Sequence, residues 1–392
     1  MATTAVDIVV KVNGGNKLDR LNKSLDETNV AAKRLSQGLK GAIAKVSALA
    51  GAAIGLSQAF RTIEQQDFAI AKVKSLGVNS EVLVTRLKEV SKELKGQASV
   101  AELTGAAYDV ASAGFANAAD AAKVLKAASL GATAGFSDIN TVANATTSVL
   151  NAYGLSADKA GKLVDGFVQT QNDGKIIISE YANNIGKLAP IAASLSVPLE
   201  EINGAIAAIT ANGVSAEIGI TGIRSALAKL GANSKEATEI LAAYGLEINA
   251  TTIANEGLVR TLEKLSKISN KEDLLKIVGV EAGQAIAPLL NDLEKLNRLV
   301  ANQADAFGVA QRGADVASNS IRGALKNIET QFTNLITSGQ GVSQILIPAF
   351  NGLAKVIEAL NGPIGIIVGA LGLLALAWYA AAKAAGVYAA AQ

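Results

Sequence analysis

From Ser80 to about residue 340, helix-start signals alternate with helix-end glycines, and almost nothing between them reads as strand. Ser80 before EVLVTRL, Asp138, Ser156, Ser196 in S-V-P-L-E-E, Ser234, and Asn270 with Asp273 three residues on are the start signals. Their side chains can accept hydrogen bonds from the free N–H groups of a first turn. Gly77, Gly96, Gly135, Gly154, Gly213, Gly231 and Gly245 fall where those helices would end. Lys175–Ile178 is the one β-branched run, and it is too short to force a sheet. The pattern predicts an all-α fold of many helices. Ala113-Gly114-Phe115 recurs as Ala134-Gly135-Phe136, and Ala152-Tyr153-Gly154-Leu155 as Ala243-Tyr244-Gly245-Leu246. These echoes suggest related helix–turn units, but they keep no steady period, so no solenoid is assigned.

Composition says what such helices can be built from and what they cannot do. Of 392 residues, 50% are hydrophobic and only 4% aromatic. A core of this kind is alanine-rich and closely packed, and the length allows two or three units at roughly 100–200 residues each. There is no Cys and no His. That excludes disulfides, thiolate zinc sites, thiol nucleophiles, Ser-His-Asp triads and H-E-x-x-H metal sites. The 36 basic and 34 acidic residues are too balanced for binding driven by phosphate neutralisation, so no specific nucleic-acid site is expected.

The first sixty residues have their own character. Val6, Ile8, Val10 and Val12 alternate with Asp7 and Lys11 and predict one short β-strand, ended by the turn Asn13–Asn16. A three-four step then runs through Leu18, Leu21, Leu25, Thr28, Ala32, Leu35, Leu39, Ala42, Val46, Leu49, Ala53, Leu56 and Phe60. All but Thr28 are apolar, which marks a coiled-coil seam or an amphipathic helix packed on its own domain, roughly 65 Å long. Val46–Phe60 is uncharged, too short to span a bilayer, and carries Gly51 and Gly55 at the spacing that lets helices approach closely. Lys11, Lys17, Arg20, Lys23, Lys33, Arg34, Lys40 and Lys45 outnumber Asp7, Asp19, Asp26 and Glu27. They form a solvated helix face or an arm for an acidic partner. No basic segment followed by a long apolar run opens the chain, so synthesis in the cytoplasm is expected.

At the other end, no charge occurs from Ala359 to Ala382. Ile364, Ile366, Ile367, Val368, Leu371, Leu373, Leu374 and Leu376 make this run apolar, Trp378 and Tyr379 sit near one end, and Gly365 and Gly369 are spaced for self-association. The run is long enough for a transmembrane helix, and a helix buried in an assembly is the competing reading.

No catalytic constellation emerges. Gly161-Lys162 and Gly186-Lys187 lack the rest of a phosphate-binding loop. Glu200-Glu201 and Glu272-Asp273 sit at predicted helix starts, where the helix dipole favours acids. Ser179-Glu180 offers one carboxylate with no partner. No cofactor or metal is expected.

The order of several motifs is more specific than any one of them. It begins with YDVASAGFANAADAAKVLKAASLGATAGFSDINTVANATTSVLNAYGLSADKAGKLVDGFVQTQ and continues with LAPIAASLSVPLEEINGAIAAITANGVSAEIGITGIRSALAKL. The elements GF-x-x-A-x-x-A-x-x-VL, LNAYGL-x-A, S-V-P-L-E-E and G-I-R-x-A-L-x-x-L follow one another, then AAYGLEI through EAGQAIAPLL, then SNSIRGALKNIETQFTNLI with IPAFNGLAKVIEAL. Over roughly residues 60–360 the chain resembles the core region of phage tail tape-measure proteins.

The resemblance implies a non-enzymatic scaffold and length ruler inside the tail tube, elongated when assembled, present in a few self-associating copies. It implies tail tube protein, tail assembly chaperones and baseplate or tail-tip proteins as partners. It places the chain in the virion and, after ejection, at the host inner membrane, where the hydrophobic segment helps the genome pass. Peptidoglycan-cleaving domains of the family usually need His or Cys, so that activity is not carried over. The competing reading is a pore-forming or toxin-like helical protein outside a tail, built on Pro363–Tyr379; an enzyme running on carboxylates would need a concave site. The sequence divides at 1–16 (strand and turn), 17–75 (heptad helix), 76–235 (core region), 236–340 (second helical region) and 341–392 (hydrophobic region).

Overall fold

In the computed structural model the described residues are 64–232 and 234–338, all within the compact unit Arg61–Gln340. They are helical, with no strand among them: α1 (64–75), α2 (Ser80–Glu93), α3 (Val100–Ser112), α4 (Ala118–Ala134), α5 (Ile139–Ala152), a 3-10 turn Ala157–Lys159, α6 (Ala160–Asp173), α7 (Ile178–Ser194), α8 (Leu199–Ala211) and α9 (Ala216–Ala232). Then come α10 (Lys235–Ala243), α11 (Ala250–Leu265), α12 (Lys271–Val278), α13 (Val280–Asn291), α14 (Leu293–Ala304), α15 (Val309–Ser318) and α16 (Ile321–Ser338). The N-terminal strand, the seam from Leu18 to Phe60, the Gly51 and Gly55 pair and the whole uncharged C-terminal run lie outside the described residues.

Most helix boundaries follow from local chemistry. Asp138, Ser234 and Asn270 cap α5, α10 and α12 as their sequence predicts. Ser80 does not cap α2; it is the first helical residue, and Asn79 before it accepts from the Val82 N–H. Ser196 also departs from expectation. It ends α7 in the left-handed region (φ 54°), where Val197 N–H reaches back to Ala192 O, and Pro198 occupies the position before α8. Ser156 precedes only the 3-10 turn and makes no side-chain cap. Ser99 and Asn249, unmarked in sequence, form full capping boxes with Glu102 and Thr252. The repeated Ala-Tyr-Gly-Leu is one C-terminal device used twice. Gly154 (φ 62°) and Gly245 (φ 67°) turn left-handed, and Leu155 and Leu246 donate to Leu150 O and Leu241 O. Gly231, by contrast, lies inside α9. Lys175–Ile178 alternates buried and exposed like a strand, but Ile178 begins α7.

Helices two apart in sequence pack side by side. α2, α4, α6 and α8 form one row, α3, α5, α7 and α9 the other, and neighbours in sequence bridge the rows. The first residues of one row are 80, 118, 160 and 199, steps of 38, 42 and 39; those of the other are 100, 139, 178 and 216, steps of 39, 39 and 38. This corrects the sequence reading: α2 to α9 is a solenoid-like stack of helix pairs. The period escaped detection because it is carried by helix length and turn placement, not by recurring residues. Beyond α9 the chain turns back. α13 packs on α9 and α8, α14 on α8 and α6, α15 on α4 and α6, and α16 on α3. The unit therefore begins and ends at its first helix pair, with Asn334 of α16 accepting from Val100 N–H of α3 at 2.8 Å.

The core is thin, as composition requires. Alanines such as Ala106, Ala128, Ala143, Ala189 and Ala207 are fully buried, and the two largest buried side chains, Tyr181 and Phe167, meet with ring centres 4.8 Å apart. Small residues set how near the return layer lies. A Cβ on Gly204 of α8 would fall 2.9 Å from the Val300 backbone N of α14.

Candidate functional site

The polar chemistry of the unit converges where the stack meets the return layer. Tyr181 (α7) donates from its hydroxyl to Asn203 Oδ1 (α8) at 2.6 Å; Asn203 Nδ2 donates to Gln303 Oε1 (α14) at 3.2 Å; Gln303 Nε2 donates to Thr170 Oγ1 (α6) at 3.3 Å. Thr170 Oγ1 closes the chain on Gly166 O at 2.8 Å. All four residues are buried. Every member is neutral, and burial, with a small contribution from Tyr153, drives the Tyr181 phenol well above its ordinary pKa. The chain has no nucleophile, no charge and no opening. It is a buried cross-brace, and satisfied networks of this kind favour one packing arrangement over others.

Two of the buried or half-buried carboxylates act as caps on distant helices. Asp165 of α6, 8% exposed, accepts from Gly308 N–H at 2.8 Å and Ala310 N–H at 2.9 Å, holding the N-terminus of α15. Glu201 of α8 does the same at the break inside α11, where Gly257 takes φ 83° and restarts the helix. It accepts from Leu258 N–H at 2.5 Å and Val259 N–H at 3.0 Å. Burial pushes the Glu201 carboxyl above its ordinary value, those two N–H groups pull against it, and neighbouring Glu200 adds to the rise. The Glu200–Glu201 pair thus divides its work: Glu200 pairs with Lys162 at 2.8 Å and Glu201 caps another helix. Asp273 accepts from the Tyr244 hydroxyl at 2.9 Å. Glu180 is an exposed first-turn acid of α7. Among the described residues no three acids gather as a metal site would need.

Two surfaces remain. One is an open groove of about 410 Å³ where the α1–α2 turn faces the start of α4, lined by Leu76, Val82, Arg86, Ala116 and Ala119 among others. The other is the outer side of α16. Its inner side is polar: Lys326 pairs with Glu102, Thr330 is buried, and Asn334 donates to Ser91 Oγ at 3.0 Å. Burial pushes the Glu102 carboxyl up, but the Lys326 and Ser99 hydrogen bonds and the Lys326 charge outweigh it and leave it below its ordinary value. Leu325 and Ile328, on the outer side, are each 39% exposed.

The sequence placed Glu200, Glu201 and Asp273 at helix starts, where they stand, but not the distant partners they hold. Its own site residues — the seam Leu18, Leu21, Leu25, Leu35, Leu39, Val46, Leu49, Leu56 and Phe60, the apolar residues Ile364 to Tyr379, and the paired glycines Gly51, Gly55, Gly365 and Gly369 — lie outside the described residues. Asn203 inside the apolar LEEINGAIAAITA was the one visible sign of the brace. Among the described residues no helix is long and apolar enough to cross a membrane.

The family model described as "Phage-related minor tail protein" matches residues 85–289, from within α2 to within α13. The chain belongs to the phage tape-measure family. It is 26% identical over 342 residues to a probable tape measure protein of Clostridium phage phiCD119, covering 80% of this chain and 36% of that one. It is 23% identical over 235 residues to a tape measure protein of Pneumococcus phage Dp-1, covering 57% of this chain and 20% of that one. The chain thus spans about a third and a fifth of these tape-measure relatives. No solved structure matches. The family match runs over the stack and the start of its turn-back, from within α2 to within α13.

Proposed function

We propose that the chain is a structural component of a phage tail that serves as scaffold and length ruler inside the tail tube. The family match over 85–289 carries this reading. It is supported by described residues that are mostly helical, since a helix converts residue number into length at ~1.5 Å per residue. Tail tube protein would polymerise around it, assembly chaperones would cover its apolar surface beforehand, and baseplate or tail-tip proteins would hold one end. On infection it leaves the tube, and the uncharged run Ala359–Ala382 helps the genome across the host inner membrane. The pattern of that run suits an apolar helix with Trp378 and Tyr379 at the interface.

The test is tail length. In-frame removal of two heptads between Leu18 and Phe60 should shorten assembled tails by about 21 Å per particle measured by electron microscopy. Tails that assemble at full length would overturn the ruler role. Leakage of liposomes by the purified chain alone would instead favour a pore-forming protein.

A further inference from the structure

Helix α16 is held differently from the rest of the return layer. α13, α14 and α15 each bury apolar side chains: Ile286 and Leu289, Leu296 and Leu299, Ala310 and Ala314. Among the described side chains of α16 only Thr330 is buried, and it is polar. Its hydroxyl meets no hydrogen-bond partner. Neither does Oε1 of Gln97, in the α2–α3 turn. That turn lies against α16, since a Cβ on Gly96 would collide with Asn327. Buried oxygens left this way lose their hydration and gain nothing in return. What holds α16 to the first helix pair is a short set of polar ties. Lys326, which also reaches Glu329 of its own helix at 3.5 Å, pairs with Glu102. Asn334 Oδ1 accepts from Val100 N–H at 2.8 Å, and its Nδ2 donates to Ser91 Oγ at 3.0 Å. Val100 is the first residue of α3, so its N–H has no acceptor within its own helix and α16 supplies one.

We propose that α16 is a latch that lets go of the α2–α3 pair under native conditions, as a step of its own, while the rest of the described unit stays folded. Elements with few buried apolar contacts open at lower free energy than the core they rest on. Release breaks the ties to Glu102, Val100 and Ser91, and returns Thr330 and Gln97 to water, which offsets part of that loss. The start of α3 survives it. Ser99 and Glu102 form their capping box within α3, without help from α16. The open form therefore presents an intact α3 whose Val100 N–H has lost its acceptor, and the two forms differ by one helix. The latch does not rest on the ruler role, because it concerns the folded chain in solution.

Hydrogen exchange of the full chain, read at single residues over a series of low urea concentrations, follows the step directly. The Val100 amide and the amides of α16 should share one opening, with a smaller urea slope than the α8 core. Two substitutions then move that opening in opposite directions. Glu102→Gln keeps the capping-box acceptor and loses the charge that holds Lys326, so Val100 and α16 should exchange roughly fivefold faster. Thr330→Val replaces the unpartnered hydroxyl with a methyl group and should slow both roughly tenfold, although Thr330 does not itself bond Val100. Val100 exchanging with the urea slope of α8 would show that α16 leaves only when the whole unit unfolds, and would overturn the latch. Val100 exchange indifferent to Thr330→Val would overturn it too, by separating the α3 N-terminus from α16.

Discussion

At the scale of single residues, the carboxylates are the most informative groups, because each one inside the unit joins segments far apart in sequence. Asp165 holds α15 by two backbone N–H groups. Asp165→Ala strands both donors away from water. The expected cost is about 2–3 kcal/mol, read as a lower urea midpoint with unchanged slope. Glu201 makes a prediction of the opposite kind. Its folded pKa lies above the ordinary 4.5, so the native state holds the proton more tightly than the unfolded chain. The stability this supplies is complete below pH 4.5 and is lost as pH rises through the folded pKa. Glu201→Gln keeps an acceptor oxygen and stays neutral. Urea midpoints measured from pH 4 to 7 should fall for the parent relative to this variant as pH rises; parallel curves would show that Glu201 titrates normally. Neither partnership was legible in sequence. Caps such as Asp138 were, because a cap and its helix are three residues apart. Asp165 and the helix it caps are separated by 143 residues, and no local pattern encodes that distance.

At the scale of elements, helix existence was readable and helix arrangement was not. Left-handed glycines at 154 and 245 and the caps at 138, 234 and 270 mark ends through chemistry confined to one turn. Ser196 misled because its type suits a helix start, whereas its backbone finishes the helix before it. The side-by-side rows rest on contacts between helices about 39 residues apart, and small residues in varied order satisfy them equally well. Gly204 shows what those contacts demand. Gly204→Leu would push its side chain into the Val300 backbone and lift α14 from α8. Overpacking of this kind costs typically 1–3 kcal/mol. Thermal unfolding should therefore shift down by roughly 2–10 °C, and the buried bridge from Asn203 to Gln303 should lose hydrogen-exchange protection nearby. An unchanged melting temperature would show that α14 is not packed against α8 at this point.

At the scale of the whole described unit, folding and measuring length pull in opposite directions. Its 274 described residues would extend to roughly 410 Å as helix, but a folded unit of that size has a radius of gyration of ~19 Å. A ruler counts these residues only once the unit has opened. Deleting α10 to α12, the 44 residues Lys235–Val278 at the turn-back, should then shorten tails by about 66 Å. Tails of unchanged length would show that the unit is carried folded and that other residues set the length.

The meeting of the unit's two ends at the first helix pair has a mechanical consequence. Tension along the chain enters at residues 64 and 338, on the same side of the fold, so it peels helices away in turn instead of shearing many contacts together. α16 is tied to that first pair by Lys326, which pairs with Glu102, and by Asn334, which bonds to Ser91 and Val100. Spread over roughly 410 Å of travel, a domain stability of about 10 kcal/mol is only about 0.02 kcal/mol per Å. A fold joined this way is a reel that yields chain under a weak, steady pull.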